Sequence, residues 1–373
     1  MDLSRIMELL PDFINAGHCV EIRGRSGIGK SDQLREFAWD WGKKLGHAVG
    51  VGSHYFGTYS YIDVAGVIMP RTTVITRPDG TQHEQFTSEW SAPAWLRADP
   101  GQEHKWLNDF ERAILILEEY DKANIEVKKA SAPLIKDGGF GDFYLKKGTG
   151  RILLTNHADD GRQGSTKDFD FGINRRFILH GTQSVQGWMH YADRNNIHFM
   201  FKSFAQAKPE IVFASELPKE QGPFITPRSL TLLENVAVRG LITAEGHITD
   251  PDAFIEVAAS IIGAPAARDL VTYFKFKEDV PLWEDIAKSP GTAKLPENAG
   301  AQIMACHLCA HNADPRSMEA AVTYVRRIRK EFHLTFAKAA AKRNFRLVST
   351  PAFMKWTAQD PALVALINAL GGK

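Results

Sequence analysis

The 373-residue sequence has little cysteine and no long hydrophobic run. Its three cysteines are too few for a disulfide scaffold and are typical of a protein from a reducing cytoplasm. The longest apolar stretches, such as 362–370, are much shorter than the ~18–20 residues of a membrane-spanning helix, so we expect no membrane association. The acidic, amphipathic N-terminus is not typical of a secretory signal, and we therefore predict a cytoplasmic protein.

The chain also has almost no net charge, but its charge is uneven along the sequence. Lysine and arginine number 45 against 44 aspartates and glutamates, so the whole chain is no polycation. Residues 316–355, however, contain ten basic and two acidic residues, and the remainder of the chain is correspondingly acidic. Hydrophobic residues make up 44% and charged residues 24%, a globular composition that argues against global disorder.

The pattern of predicted elements changes near residue 183. Before it, strands alternate with helices, which indicates an α/β fold with a parallel sheet covered by helices. The predicted strands are 19–22, 58–63, 113–117, 151–155 and 177–180, and the first helices are 4–15 and 31–45. After it the periodicity is helical, with predicted helices at 184–204, 227–240, 251–263, 264–275 and from 300 onward. We predict an α/β core at 1–183, a helical lid subdomain at 184–287 and a C-terminal helical extension at 288–373.

The strongest motif is Gly24-Arg25-Ser26-Gly27-Ile28-Gly29-Lys30-Ser31, which fits G-x-x-x-x-G-K-[ST] at every fixed position. Its glycines permit the positive φ angles with which several backbone N–H groups converge on phosphate, and the following helix adds its partial positive charge. We expect Lys30 to reach the β- and γ-phosphates and the Ser31 hydroxyl to bind Mg²⁺. The candidate nucleotide-binding residues are the whole loop and the adjacent Asp32. A glycine-rich turn that matches by chance is the alternative, but the strand before it and the helix after it argue against chance.

A second signal is the apolar run at 113–117, which ends in Glu118 and Glu119. A buried strand delivers both carboxylates at its carboxyl end, beside the phosphate loop. One acid would hold the hydrated Mg²⁺ ion and the next would polarise the attacking water. The first acid is usually Asp, and Glu118 is one methylene longer. The alternative is the solvated start of a helix, since Glu-Glu-Tyr-Asp-Lys is unremarkable by itself.

Three weaker signals follow along the chain. Asn156 ends the apolar strand at 151–155 and could orient the attacking water or contact the γ-phosphate. Arg175 and Arg176 come next, and Arg228 lies at the start of a predicted helix. An arginine from a neighbouring subunit can neutralise transition-state charge in phosphoryl transfer. Because a single arginine is more often a surface salt-bridge partner, we base the assignment on the order and spacing of the motifs.

In this order and spacing, the motifs resemble those of AAA+ ATPases of the MoxR type, close to the dynein-related branch. The similarity lies in Walker A at 24–31, a Walker B-like ILILEE at 114–119, sensor 1 at Asn156, RRF at 175–177 and TPRS at 226–229. It extends to 63–67, to 92–96, to 140–145 (a hairpin before sensor 1 in the family) and to 351–353 with Trp356, so it covers nearly the whole chain.

The resemblance implies a P-loop AAA+ core followed by an all-α lid, with ATP and Mg²⁺ as cofactors. It implies nucleotide contacts from Gly27, Gly29, Lys30 and Ser31. It also implies that Ser31 and Glu118 coordinate Mg²⁺, although Glu118 stands where relatives carry Asp.

The resemblance further implies that Glu119 activates the attacking water, that Asn156 is the first sensor and that Arg228 is the second. Arg176 corresponds to the arginine finger, the arginine that completes the site of a neighbouring subunit. Relatives often carry another polar residue in place of Arg175, so either arginine could be the finger. The implied assembly is a hexamer, and MoxR-type ATPases often act with von Willebrand A-domain proteins on a protein client.

Two further patterns have competing explanations. Cys306 and Cys309 have C-x₂-C spacing with two histidines close by, but the run has helical periodicity and no second ligand pair occurs, so we predict packing rather than zinc. The basic segment 316–355 could neutralise nucleic-acid phosphates. Apolar residues at helical spacing within it indicate that one face is packed, and the rest could be a solvated surface or contact an acidic protein.

The leading prediction is a ring-forming, ATP-dependent AAA+ ATPase that remodels or assembles a protein client. The alternative is a nucleic-acid-associated AAA+ ATPase, such as a helicase loader or DNA motor, that uses 316–355. A third hypothesis, motivated by Glu118, is a nucleotide-gated scaffold that does not hydrolyse ATP.

Overall fold

The first 182 residues are built around a parallel five-stranded sheet. The structure is a computed structural model that describes residues 1–156, 175–214, 218 and 222–371. The chain divides into two compact units, Met1–Thr182 and Gln183–Lys373. The strands of the first unit are β1 (Cys19–Arg23), β2 (Val49–Tyr55), β3 (Ile68–Thr76), β4 (Gln82–Trp90), β5 (Arg112–Glu118), β6 (Gly139–Phe140), β7 (Phe143–Tyr144), β8 (Gly150–Thr155) and β9 (Phe177–His180). Its described α-helices are α1 (Leu3–Asn15), α2 (Lys30–Leu45), α3 (Tyr61–Ala65) and α4 (Ile125–Asp137).

The strand order of the main sheet is β2-β5-β8-β1-β9, with every pairing parallel. The phosphate loop follows β1. Glu118 is the last residue of β5 and Glu119 comes directly after it, and β8 lies between β5 and β1 in the sheet. The covered parallel sheet confirms the predicted α/β fold class, and its strand order agrees with the P-loop AAA+ core that the resemblance implies. Because carboxyl ends of parallel strands share one edge, the loop and the acids are brought to the same edge of the sheet.

Both faces of the sheet are covered, which explains the continuous apolar runs in its central strands. In β5, Ile114 and Ile116 pack in one hydrophobic cluster with side chains of α1 and α2. Leu115 and Leu117 point the other way into a second cluster that includes residues of α4. Each fully buried aliphatic side chain contributes about 1.5–3 kcal/mol relative to an exposed one, so β5 is firmly anchored where its acidic end leaves the sheet.

The predicted strand at 58–63 is wrong, and the missing strand is β2. Residues of the predicted segment form α3 instead, because Ser60 and Asp63 make a capping box at its start. The glycines in β2 are not typical of a strand, so the sequence pattern did not indicate one, but neighbouring groups pack so closely that a side chain would not fit there. A Cβ at Gly50 would lie 2.4 Å from the Phe110 ring, and one at Gly52 would lie 2.4 Å from the carbonyl oxygen of Arg97.

An antiparallel ribbon of β3 and β4 was not apparent from the sequence. Its pairing runs in register from Ile68 opposite Trp90 to Thr76 opposite Gln82. Most of its side chains are exposed, including Phe86 at 76%. A ribbon with solvent on both sides has no need of an alternating apolar pattern, so the usual strand signal is missing. The short pair β6 and β7 agrees with the hairpin expected before sensor 1.

The second unit is helical throughout its described residues. Its α-helices are α5 (Val185–Arg194), α6 (Phe199–Ala207), α7 (Pro209–Val212), α8 (Pro227–Ala237), α9 (Pro251–Ile262), α10 (Ala264–Phe274), α11 (Trp283–Lys288), α12 (Ala299–Asn312), α13 (Met318–Val325), α14 (His333–Arg343), α15 (Phe345–Val348), α16 (Pro351–Thr357) and α17 (Pro361–Gly371). Described helices on both sides of residue 288 contribute to one hydrophobic cluster. The predicted domain boundaries themselves stay predictions. Among the described helices, none combines the length and apolarity that crossing a membrane requires.

The helix predicted over 184–204 is two helices, α5 and α6. Asn196, between them, has a φ of 52°, a left-handed conformation that asparagine tolerates better than most residues. The ring of His198 then caps α6 by accepting a hydrogen bond from the backbone N–H of Met200. Within the same unit, α12 is buried almost all round, and Cys306 and Cys309 are fully buried free thiols in it.

Candidate active site

The phosphate loop is shaped by glycines at three points. The N–H of Gly24 donates to the carbonyl of Thr155 at 3.1 Å, and a Cβ at Gly24 would lie 2.6 Å from the carbonyl oxygen of Gly181. Gly27 and Gly29 have φ angles of 80° and 85°, in the left-handed region that favours glycine. The sequence therefore folds into a tight loop because no side chain occupies these positions.

Lys30 begins α2 and turns its ammonium group back over the loop. Its Nζ donates to the carbonyl oxygens of Gly24 and Arg25 at 2.6 and 2.9 Å. The same Nζ donates to Oδ1 of Asn156 at 3.1 Å. The predicted phosphate-binding lysine and the predicted first sensor are thus in direct contact at the edge of the sheet.

Ser31 and Glu118 form the second contact between the loop and β5. The Ser31 hydroxyl donates to Oε2 of Glu118 at 2.8 Å, and Ser53 donates to the other carboxylate oxygen at 3.4 Å. Glu118 is buried, so these hydroxyls provide partners that its carboxylate needs. A hydroxyl and a carboxylate at one point are the hard oxygen ligands that Mg²⁺ prefers, and the two side chains fit the predicted metal site.

The other predicted loop residues have different surroundings. Ile28 is buried in the hydrophobic cluster on the α1 and α2 side of the sheet, so its side chain anchors the loop. Ser26 and Asp32 are exposed, and Arg25 is half-buried. Any contact of these residues with nucleotide remains a prediction.

Glu119 follows β5 in a left-handed backbone conformation, with φ at 52°. For a residue other than glycine this conformation is uncommon and is often found at functional sites. Its carboxylate forms an ion pair of 2.9 Å with Nζ of Lys122, and both side chains are partly exposed. The predicted general base thus lies on a strained turn. Its carboxylate is accessible to solvent and is held by the neighbouring Lys122.

Asp121 was missed in the sequence and belongs to the same site. Its Oδ1 accepts a hydrogen bond from the backbone N–H of Asn156 at 3.3 Å. Burial raises the pKa of Asp121, while the hydrogen bond from Asn156 and the charges of Lys122 and Lys30 oppose that rise. A third acid close behind Glu118 and Glu119 was the available signal. Asn156 is therefore held from two sides, by Lys30 at its side chain and by Asp121 at its backbone.

Arg176, predicted as the finger, is buried within its own chain. Its Nε donates to Oε2 of Glu21 at 2.5 Å, and the side chains are only 1% and 0% exposed. Burial tends to raise the pKa of Glu21, but the charge and hydrogen bond of Arg176, with hydrogen bonds from Arg23 and Thr155, lower it overall. This burial argues against Arg176 as a group that reaches another subunit. Of the two candidate arginines, Arg175 is the exposed one.

Arg228 lies in the second unit, in the first turn of α8, and is exposed. Pro227 occupies the first turn as well, and Thr226 with Ser229 forms a capping box that fixes the start of the helix. The sequence signal here thus marks a well-defined helix start. The role of Arg228 as second sensor remains a prediction.

The basic segment 316–355 uses several of its charges inside the second unit. Arg327 donates to the carbonyl oxygens of Pro290 and Ala293 at 2.8 and 2.9 Å. Arg343 donates to the last carbonyls around the end of α12, Ala310 at 2.9 Å and Ala313 at 2.7 Å. Arg343 thus satisfies carbonyls at the end of α12, and Arg327 satisfies carbonyls in the turn that follows α11. The number of basic residues in the segment therefore exceeds the number that is available to bind nucleic-acid phosphates.

The sequence matches no protein-family profile and no curated protein sequence. Solved structures resemble it weakly. A candidate ATPase from Cytophaga hutchinsonii ATCC 33406 is 10% identical, with 91% of this chain and 79% of that chain covered and a TM-score of 0.33. NtrX from Brucella abortus is 13% identical, with 89% and 67% covered and a TM-score of 0.32. NtrX from the same organism in complex with ATP is 14% identical, with 99% and 68% covered and a TM-score of 0.30. The assignment of the fold rests on strand order and on the contacts described above.

Proposed function

We propose that this protein binds Mg·ATP in its α/β unit and hydrolyses it. The observation that carries the proposal is the hydrogen bond between Ser31 and Glu118, because it joins the phosphate loop to the acidic end of β5. The contact between Lys30 and Asn156 supports the same conclusion from the neighbouring strand. Four side chains suited to phosphoryl transfer thus meet although they come from three parts of the chain.

The residues divide the chemistry among them. The backbone of the loop and the ammonium of Lys30 bind phosphate oxygens, as backbone N–H groups and lysine do in P-loop enzymes. Ser31 and Glu118 would hold Mg²⁺, which when bound neutralises charge on the phosphate oxygens. Glu119 accepts the proton of the attacking water, and Asn156 orients that water or the γ-phosphate.

Turnover of ATP by the purified protein tests the proposal. We expect Mg²⁺-dependent release of phosphate that is lost in Glu119→Gln, while this variant still binds ATP. Glu126→Gln, an exposed acid in the first turn of α4, is the matched control and should retain full activity. Binding without turnover in the unmodified protein would instead favour a nucleotide-gated scaffold.

We further propose that the protein acts as a MoxR-like, ring-forming ATPase on a protein client. The supporting observations are the motif order that resembles that family and an exposed Arg175 next to the buried Arg176. A hexamer that forms in ATP, seen by light scattering after gel filtration, is the expected assembly. Persistence of a monomer with ATP bound to Glu119→Gln would contradict a ring.

The client is best sought with the same variant. Glu119→Gln should accumulate with ATP bound and therefore hold a client that the unmodified protein releases. We expect capture of a protein, and a von Willebrand A-domain protein is the specific candidate that the resemblance suggests. Stimulation of turnover by DNA, lost when Arg326 and Arg346 are changed to Glu, would favour the nucleic-acid alternative.

A further inference from the structure

A carboxylate lies buried in the middle of β1, an interior strand of the sheet. Glu21 is fully shielded from solvent, and its oxygens accept hydrogen bonds from Arg23, Thr155 and Arg176. A buried charge needs partners of this kind, because unpaired it would be strongly destabilising. The partners come from three adjacent strands or their ends, so the cluster fixes β1, β8 and the segment before β9 to one another.

The guanidinium of Arg176 has a second neighbour, the ring of Tyr120. Its central carbon lies 5.8 Å from the ring centroid, within the range of a cation–π contact. Tyr120 is itself buried, and its hydroxyl lies 3.1 Å from the hydroxyl of Ser131 in α4. Arg176 therefore contacts both the carboxylate in β1 and a buried ring on the turn after β5.

Tyr120 stands between the proposed general base, Glu119, and Asp121, the acid that supports the predicted first sensor. Glu119 precedes it in the left-handed conformation, which persists only where the surroundings hold it. Asp121 follows it and accepts the hydrogen bond from the backbone of Asn156. Movement of the Tyr120 ring would displace both the general base and the support of the sensor.

We propose that Arg176 is a positioning residue that acts within its own chain, by holding Tyr120 and so fixing Glu119 and Asp121. This inference rests on the proposed ATP hydrolysis and deepens it. It also assigns a cis role to the residue that the resemblance implied would act in a neighbouring subunit. A side chain that is 1% exposed and paired with a buried carboxylate is placed for the cis role.

The test compares Arg176→Gln with the pair variant Glu21→Gln/Arg176→Gln. The single change leaves Glu21 without its main cation and should lower the melting temperature. The pair variant removes both charges and should recover most of that loss. In both we expect kcat to fall about 10- to 100-fold, the cost of misplaced catalytic groups, with unchanged affinity for ATP. Tyr120→Leu should lower kcat similarly, and should add little to Arg176→Gln.

The matched control is Arg5→Gln/Glu8→Gln, which removes an ion pair from the exposed face of α1. It should change neither kcat nor affinity. If the pair variant regains full kcat together with its stability, Arg176 is merely structural and the inference is wrong.

Mixing subunits separates the cis role from a finger. An Arg176→Gln subunit mixed with a Glu119→Gln subunit should show no more turnover than the two variants show separately, because each site lacks a residue that must come from its own chain. Recovery of turnover in the mixture would overturn the inference and make Arg176 a finger. If the unmodified protein does not hydrolyse ATP, the proposed function fails and this inference fails with it. Normal turnover of the unmodified protein beside full kcat in the pair variant overturns the inference alone.

Discussion

Nζ of Lys30 lies 3.1 Å from Oδ1 of Asn156, although 126 residues separate them along the chain. The contact depends on the sheet order, which places β8 beside β1 and so brings Asn156 next to the phosphate loop. Contacts with both the loop carbonyls and the sensor hold the ammonium group of Lys30 at the phosphate-binding edge of the sheet. Changes in this group of residues should therefore act on binding, on metal use or on turnover in separable ways.

Lys30→Ala should weaken ATP binding about 10- to 100-fold, the loss expected for hydrogen bonds to a charged group. Titration calorimetry of the variant with ATP measures the dissociation constant directly. Lys44→Ala, in the exposed last turn of the same helix, should bind ATP normally. Equal affinity of Lys30→Ala and the unmodified protein would contradict the assignment of the loop.

Glu119→Gln should lower kcat by about 10²–10⁴, the usual contribution of a general base, with little change in ATP affinity. The amide cannot take up a proton from water, yet it keeps the size of the side chain. Phosphate release under saturating ATP measures the effect. A variant that retains most of its kcat would exclude Glu119 as the base.

Glu118→Gln should raise the Mg²⁺ concentration that gives half-maximal turnover by about tenfold, as expected when a charged ligand interaction of about 1.4 kcal/mol is lost. The reason is that its carboxylate and the Ser31 hydroxyl meet at 2.8 Å and form the predicted metal site. Titration of turnover with Mg²⁺ at saturating ATP measures the shift, and Glu126→Gln serves as control. An unchanged Mg²⁺ requirement would place the metal elsewhere.

The second unit should lose stability on mild acidification. Burial lowers the pKa of His198 and of His311 to about 4 and the pKa of His307 to about 3, with the charge of Lys202 adding to the effect. Unfolded histidines titrate near 6.5, so between that value and the folded pKa the unfolded state binds more protons. The contribution of these histidines is therefore complete above pH 6.5 and falls as pH drops towards 4, by at most about 1.4 kcal/mol per pH unit for each histidine. Burial also raises the pKa of Asp193 and of Glu234, which opposes part of this loss.

Chemical denaturation at several pH values tests this dependence. His311→Gln should reduce the slope, whereas His83→Asn, on the exposed ribbon, should leave it unchanged. A free energy of unfolding that is flat between pH 6.5 and 4.5 would contradict the burial of these rings.

The three cysteines should be unreactive in the native protein. All are buried and free, and burial raises the pKa of Cys19 to about 12 and the pKa of Cys306 and Cys309 above the usual thiol range. Thiolate, not thiol, attacks a disulfide reagent. Ellman's reagent should therefore label the folded protein very slowly and all three thiols after unfolding in guanidinium chloride. Rapid labelling of any of the three thiols under native conditions would contradict its burial in β1 or in α12.

Much of the fold was predictable because the central strands are buried on both faces. The centres of β5 and β8, residues 113–117 and 152–154, are apolar without interruption, and a motif with fixed spacing marks the loop after β1. The strand β2 was not predictable, because Gly50 and Gly52 are required by neighbours distant in sequence, Phe110 and Arg97. No local pattern reports such a close approach.

The sequence predicted which residues belong to the site better than it predicted which of them contact one another. The acids after β5 and the amide after β8 follow from strand ends, which sequence reasoning can place. The pairing of Arg176 with Glu21 could not be derived, because a motif gives the identity of an arginine but not its partner. A glutamate inside an otherwise apolar β1 was the overlooked signal, since a charge at such a position requires an opposite charge from elsewhere.

The position of β1 has a consequence for synthesis of the chain. It precedes the other described strands along the chain, yet Cys19 pairs with Arg151 and Val20 with Phe177, so both of its neighbours are synthesised much later. Until residue 180 has left the ribosome, the edge of β1 that pairs with β9 remains unpaired, and the sheet that supports the phosphate loop is incomplete. Such long-range pairing slows folding and prolongs exposure of strand edges. A nascent or truncated chain that stops before β9 therefore leaves one edge of β1 unpaired, and an unpaired strand edge favours aggregation.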